Sequence, residues 1–132
     1  MRSHRKRIGM AALAGLALSG CTTPAELAAR EPELTVVAEL SERAMAACIV
    51  DAWSNHQDFL GSTLDVRYTP RVEGSRVSAH DPGGWALTHA LADITEIEGG
   101  VRVDYYARGA FAFGDRFKGM VRECAAAATA AD

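Results

Sequence analysis

The chain of 132 residues predicts an α+β domain: an N-terminal helix, a three- to four-stranded antiparallel meander and a C-terminal helix, both helices lying on one sheet face. Three observations predict it. Apolar residues recur at helical spacing over residues 35–53 and again after Gly109. Between those stretches they alternate with polar residues. Each change of period falls at Gly, Pro, Asn or Asp, the residues that end elements and make turns.

Residues 1–21 come before that domain and carry an address. Arg2, Arg5, Lys6 and Arg7 precede any apolar run, and no acid occurs before Glu26. Residues 8–18 are Ala- and Leu-rich, an apolar run of about ten, far short of the roughly 20 residues that span a bilayer. A basic head followed by a short apolar segment is the pattern of an export signal. An ordinary signal would be cut at the small residues nearby, but the end of this one, Leu18-Ser19-Gly20-Cys21, resembles the lipobox of bacterial lipoproteins at all four positions. The resemblance covers residues 1–21 alone. It implies cleavage between Gly20 and Cys21, a thioether-linked diacylglycerol on Cys21 and acylation of the new amino group by a palmitate-type chain. Two or more chains anchor stably. It places the protein in the cell envelope, and, in a Gram-negative source, Thr22 rather than Asp after the lipidated residue sends it to the outer membrane facing the periplasm.

The three cysteines are Cys21, Cys48 and Cys124. Acylation of Cys21 takes one out of the count and leaves a pair, Cys48 and Cys124, for a disulfide in an exported chain. The other reading is two buried thiols packed as small hydrophobes.

Removal of residues 1–20 leaves ten basic against seventeen acidic residues, a net charge of −7. That excludes a nucleic-acid binder or a polybasic membrane binder. Residues 21–34 read as a lipidated tether and 35–132 as one small domain. Within the tether, Thr23-Pro24-Ala25-Glu26 fits a capping box with Pro at the first helical position, so a short helical turn is expected before Pro32 interrupts. Extended, the tether would reach on the order of 45 Å at about 3.5 Å per residue.

In the domain, Val37, Leu40, Ala44, Met45, Cys48, Ile49 and Ala52 trace the apolar stripe of a helix over 35–53, and the polar run 54–58 ends it. Leu64, Val66 and Tyr68 alternate with Asp65 and Arg67 in a first strand limited by Pro70. Glu73-Gly74 turns the chain into a second strand at 76–80, and Asp81-Pro82-Gly83-Gly84 is the strongest turn signal. Residues 85–97 alternate less cleanly, as a bulged strand or two short strands would. Glu98-Gly99-Gly100 makes a hairpin into Val101, Val103 and Tyr105. Phe113, Phe117, Met120, Val121, Cys124 and Ala128 then form the stripe of the last helix, with Asp115 near its positive end.

No nucleophile elbow, phosphate loop, dinucleotide fingerprint, CxxC or HExxH occurs in the chain. No cofactor or metal site is implied. After export the histidines are His56, His80 and His89. His80-Asp81 with His89 and Asp93 is the one group open to an acid/base or metal role, at no recognised ligand spacing. Trp53 and Trp85 read as core or as the wall of a pocket. If Val77, Val101, Val103 and Tyr105 face the helices, then Arg67, Arg76, His80, Arg102 and Tyr106 share the other sheet face. That face is either a solvated surface of mixed charge or a partner site, Arg and Tyr being favoured at interfaces. The expectation is a non-enzymatic envelope lipoprotein, held at the membrane through Cys21, whose domain binds another envelope protein in an assembly, inhibitor or immunity-type role. The alternative is a lipid-anchored carrier of a small ligand or metal, or an enzyme, using the His80/His89 region.

Overall fold

The computed structural model describes residues 22–58, 61–83, 87–109, 111 and 113–130, so the leader, Cys21 and Trp85 lie outside the described residues. A short helix α1 (Pro24–Ala28) precedes strand β1 (Leu34–Ala38) and helix α2 (Glu42–Asn55). Strands β2 (Asp65–Arg71), β3 (Gly74–His80), β4 (Thr88–Ile97) and β5 (Gly100–Ala107) follow, then helix α3 (Gly114–Ala130). The strands form one antiparallel sheet in the order β1-β5-β4-β3-β2. The class is the α+β expected, with α2 and α3 on one face.

The sheet has one strand more than the meander. Residues 34–38 were expected to end the tether and begin the first helix; they form β1 instead, paired with β5 from Leu34↔Tyr105 to Ala38↔Val101. Thr35, Val36 and Val37 are β-branched and stiff, which favours a pleated edge over a helix. The helix starts at Glu42 because the Ser41 hydroxyl accepts a hydrogen bond from the Ala44 N–H at 3.1 Å. β1 and β2 sit at opposite edges, so α2 carries the chain across the whole sheet. Gly100 permits the added strand: a Cβ there would fall 2.1 Å from the Ala38 carbonyl oxygen. Pro70, expected to limit the first strand, lies inside β2 opposite Ser75. β2 is an edge strand, where a missing N–H costs no ladder bond.

The core lies between the sheet and the two long helices. Met45, Ile49 and Trp53 of α2 and Phe117, Val121 and Cys124 of α3 meet Val77, Ala79, Ala92, Ile94, Val101, Val103 and Tyr105. Trp53 is fully buried, stacks on Phe117 at 5.0 Å and donates its indole N–H to the Phe117 carbonyl at 3.3 Å. Of its two expected roles it takes the core one. Cys48 and Cys124 bring their sulfurs to disulfide distance, 2.04 Å, tying α2 to α3. Tyr68, expected in the core, is 48% exposed at the sheet edge, its hydroxyl donating to Glu42 at 3.1 Å.

The opposite face is partly covered. Leu27 and Leu91 are fully buried yet stand outside the main core cluster, and Leu91 alternates with the core-facing Ala90 and Ala92. α1 therefore packs Leu27 onto the far side of β4 and β5. Its capping box is complete: Thr23 accepts from the Glu26 N–H at 3.2 Å, and Glu26 accepts from the Thr23 N–H at 3.4 Å. Thr22 is buried, and its carbonyl accepts from the Thr88 N–H at 3.0 Å. The stretch expected as a free tether is thus folded onto the sheet from its second residue, because Leu27 finds an apolar partner there.

Candidate functional site

The outer sheet face separates into a covered and an open part. On the covered part Ser78 and His80 are buried at 3% and 5% exposure. The His80 ring lies between two hydroxyls, Ser78 Oγ at 2.7 Å from Nε2 and Thr88 Oγ1 at 3.2 Å from Nδ1. Burial, with the nearby Arg67 charge adding to it, holds the His80 imidazole below its ordinary pKa. His80 was expected on the exposed partner face and is not accessible there.

On the open part the arginines are engaged with their own sheet. Arg76 makes a bidentate pair with the buried Asp93, at 2.6 and 3.0 Å, and the Asp93 hydrogen bond raises the Arg76 pKa. Arg71 approaches Asp93 at 3.6 Å. Arg67 pairs with Asp65 at 2.8 Å and Arg102 with Asp104 at 3.2 Å, while Asp104 also accepts from the Thr35 hydroxyl at 2.7 Å. Tyr106 is half-buried and its phenol is pushed up by burial first and by Asp104 and Asp93 second. Arg67, Arg76, Arg102 and Tyr106 do share the face, but as a lattice of internal charge pairs.

A different cluster forms where the sheet end meets the loops. A cavity of about 370 Å³, within the roughly 300–1,000 Å³ of small-molecule pockets, opens between the end of α2, the β3–β4 and α2–β2 connections and the turn after β5. Its apolar walls include Leu64, Pro82, Phe111 and Phe113; its polar groups include His56, His89, Asp81 and Arg108. Each is positioned by a local feature. His56 caps the end of α2. Asp58 orders the next loop by accepting from the Ser62 N–H at 2.9 Å and donating its own N–H to the Ser62 carbonyl at 2.9 Å. The register shift at Ala79/His80 sets β4 out of step with β3 at this end, and His89 there lines the cavity. Arg108 N–H continues the ladder to the His89 carbonyl at 2.8 Å, and its own carbonyl accepts from Phe111 at 3.0 Å, which folds the aromatic segment back over His89. The His89 and Phe111 rings then stack at 5.0 Å and 21°.

Donor logic sets the His89 tautomer. A guanidinium has no acceptor, so His89 Nδ1 accepts from Arg108 Nη2 at 3.2 Å, and Nε2 carries the proton toward Asp81 Oδ1 at 2.5 Å. Arg108→His89→Asp81 is a directed chain that fixes the guanidinium. Two nitrogens remain over: Arg108 Nε, a donor, and His56 Nε2 are buried without a hydrogen-bond partner among the described residues. An unmatched buried polar group of this kind costs about 1–3 kcal/mol. Arg108 also joins no ion pair among the described residues.

Of the expected group His80, Asp81, His89 and Asp93, the fold brings together Asp81 and His89 alone. His80 is held between Ser78 and Thr88, and Asp93 is held by Arg76. No group of three or more His, Cys, Asp or Glu able to hold a metal occurs among the described residues. Sequence reading missed Arg108, His56 and the two phenylalanines as parts of one site. Their one signal was a polar or aromatic residue just beyond the end of an element, which marks loops in general. No protein-family model, curated protein or solved structure matches the chain.

Proposed function

We propose that the chain is an envelope lipoprotein, anchored through Cys21 and, in a Gram-negative source, facing the periplasm from the outer membrane, whose domain acts by binding a small ligand without catalysis. The observation that carries the ligand reading is the cavity with Arg108 and His56 at its wall, each with a buried nitrogen that has no hydrogen-bond partner among the described residues. A small domain stabilised by one cysteine clamp tolerates two such groups most economically where a ligand satisfies them. Among the described residues no nucleophile is hydrogen-bonded to the His89–Asp81 pair, and the pair serves to orient Arg108. The test is recovery. Lipidated protein extracted gently from membranes should release, on denaturation, a small molecule at near-equal stoichiometry, and Arg108→Gln protein should release none. Protein that never yields such a molecule and never binds one would defeat the reading.

A second reading, docking of another envelope protein on the open sheet face, is favoured by one observation: Val37, 64% exposed, lies beside the exposed Arg102, with which it pairs in register. It is tested by Arg67→Glu with Arg102→Glu, which should abolish partner cross-linking while shifting stability within about 0.5 kcal/mol per exposed site. If that pair leaves every partner in place, the pocket alone carries the function.

A further inference from the structure

We propose that the pocket's ligand is a carboxylate on an aromatic or similarly flat apolar body, its acid group received by Arg108 and His56. The proposal rests on the ligand-binding reading above and adds the chemical class. Three features select it. Arg108 can only donate, and of its nitrogens Nη2 alone has a hydrogen-bond partner among the described residues, while His56 Nε2 donates to an anion in the tautomer that protonates it. The acids at the wall do not compete for Arg108, since Asp81 takes the His89 proton and Asp58 orders the loop through Ser62. The guanidinium is also held in place before any ligand arrives, because its Nη2 is committed to His89 and His89 to Asp81. A planar fork fixed in this way suits a planar carboxylate better than a point charge would. The remainder of the wall answers to rings. Phe111 stacks on His89 and meets Phe113 edge to face at 5.9 Å, while His56 meets Phe113 edge to face at 5.1 Å. The Asp81 and Asp58 carboxylates of the wall each already accept a hydrogen bond, whereas the Arg108 guanidinium joins no ion pair among the described residues, so an acid is preferred over an amine.

The experiment uses the mature lipidated protein in nanodiscs and three probes of one shape: phenylacetate, phenylacetamide and phenethylammonium, titrated by calorimetry. Phenylacetate should bind saturably and at least about tenfold more tightly than the amide, with the ammonium weakest, and added salt should weaken the acid alone. Arg108→Gln should lose about tenfold for the acid and little for the amide, whereas Arg67→Gln, on the far face, should match wild type. The comparison of probes on wild-type protein stands even if Arg108→Gln fails to fold. Equal affinity for acid and amide, or unchanged acid binding in folded Arg108→Gln, overturns the proposal. So does recovery of a native ligand without an acidic group, which leaves the ligand reading intact. Absence of both a recovered molecule and any saturable probe defeats both.

Discussion

At the scale of single residues, burial decides more than chemistry does. His80 and His89 are nine positions apart in one polar pattern, yet one is sealed between hydroxyls and the other lines a cavity, because a bulge intervenes. For His80 the sign is fixed by desolvation: its folded pKa lies below the unfolded value of about 6.5. The unfolded chain then binds a proton that the folded chain refuses, so stability is full above about pH 6.5 and falls as the pH drops through that window. Thermal melts from pH 7.5 to 5 should show a shallower decline in His80→Gln than in wild type; parallel slopes would remove His80 as the cause. Arg76 and Asp93 make a second case. Arg76→Gln leaves the buried Asp93 charge with less compensation and should destabilise more than the joint change Arg76→Met with Asp93→Leu, which removes both charges. Denaturant titration of the variants separates the two outcomes.

At the scale of elements, the legible parts were those whose signal is local. The Thr23-Pro24-Ala25-Glu26 capping box and the turns at Glu73-Gly74 and Glu98-Gly99 are readable from neighbours within four positions, and each is present. β1 was not legible. Val37 and Leu40 fall in phase with Ala44 of α2, so a helical period runs through residues that in fact pair with a strand nearly seventy positions later, for example Thr35 with Asp104. Nothing local records that pairing except the glycine that makes room for it. Gly100→Ala should accordingly loosen β1 from β5, read as faster amide exchange at Val36 and Ala38 than in β3; uniform exchange rates would show that the strand accommodates a methyl. The clamp between α2 and α3 closes a separation of 76 residues, worth about 4 kcal/mol on the loop-entropy model. Cys48→Ala should lower the melting temperature and the yield of exported protein. The pocket was illegible for the same reason as β1: His56 follows α2, His89 lies at the start of β4 and Arg108 follows β5, and only the assembled sheet brings them together.

At the scale of the whole molecule, the address and the fold meet at Thr22. Cys21→Ser should release the domain from membranes or leave it unprocessed, whereas wild type should resist high salt in fractionation; wild type washed off by salt alone would refute the anchor. The buried Thr22, bonded to Thr88 one residue from His89 of the pocket, has a further consequence. If Cys21 carries the proposed lipid, that lipid is attached one peptide unit from a folded residue, about 3.8 Å between Cα atoms. The proposed anchor would then hold the domain at the bilayer surface, within reach of the headgroup layer. On that reading, a ligand of the proposed class would reach the cavity from that layer. The membrane would then be the reservoir and the protein the sorting step beside it. A flexible spacer inserted between Cys21 and Thr22 would leave the affinity measured in solution unchanged, while slowing capture of acids delivered in vesicles.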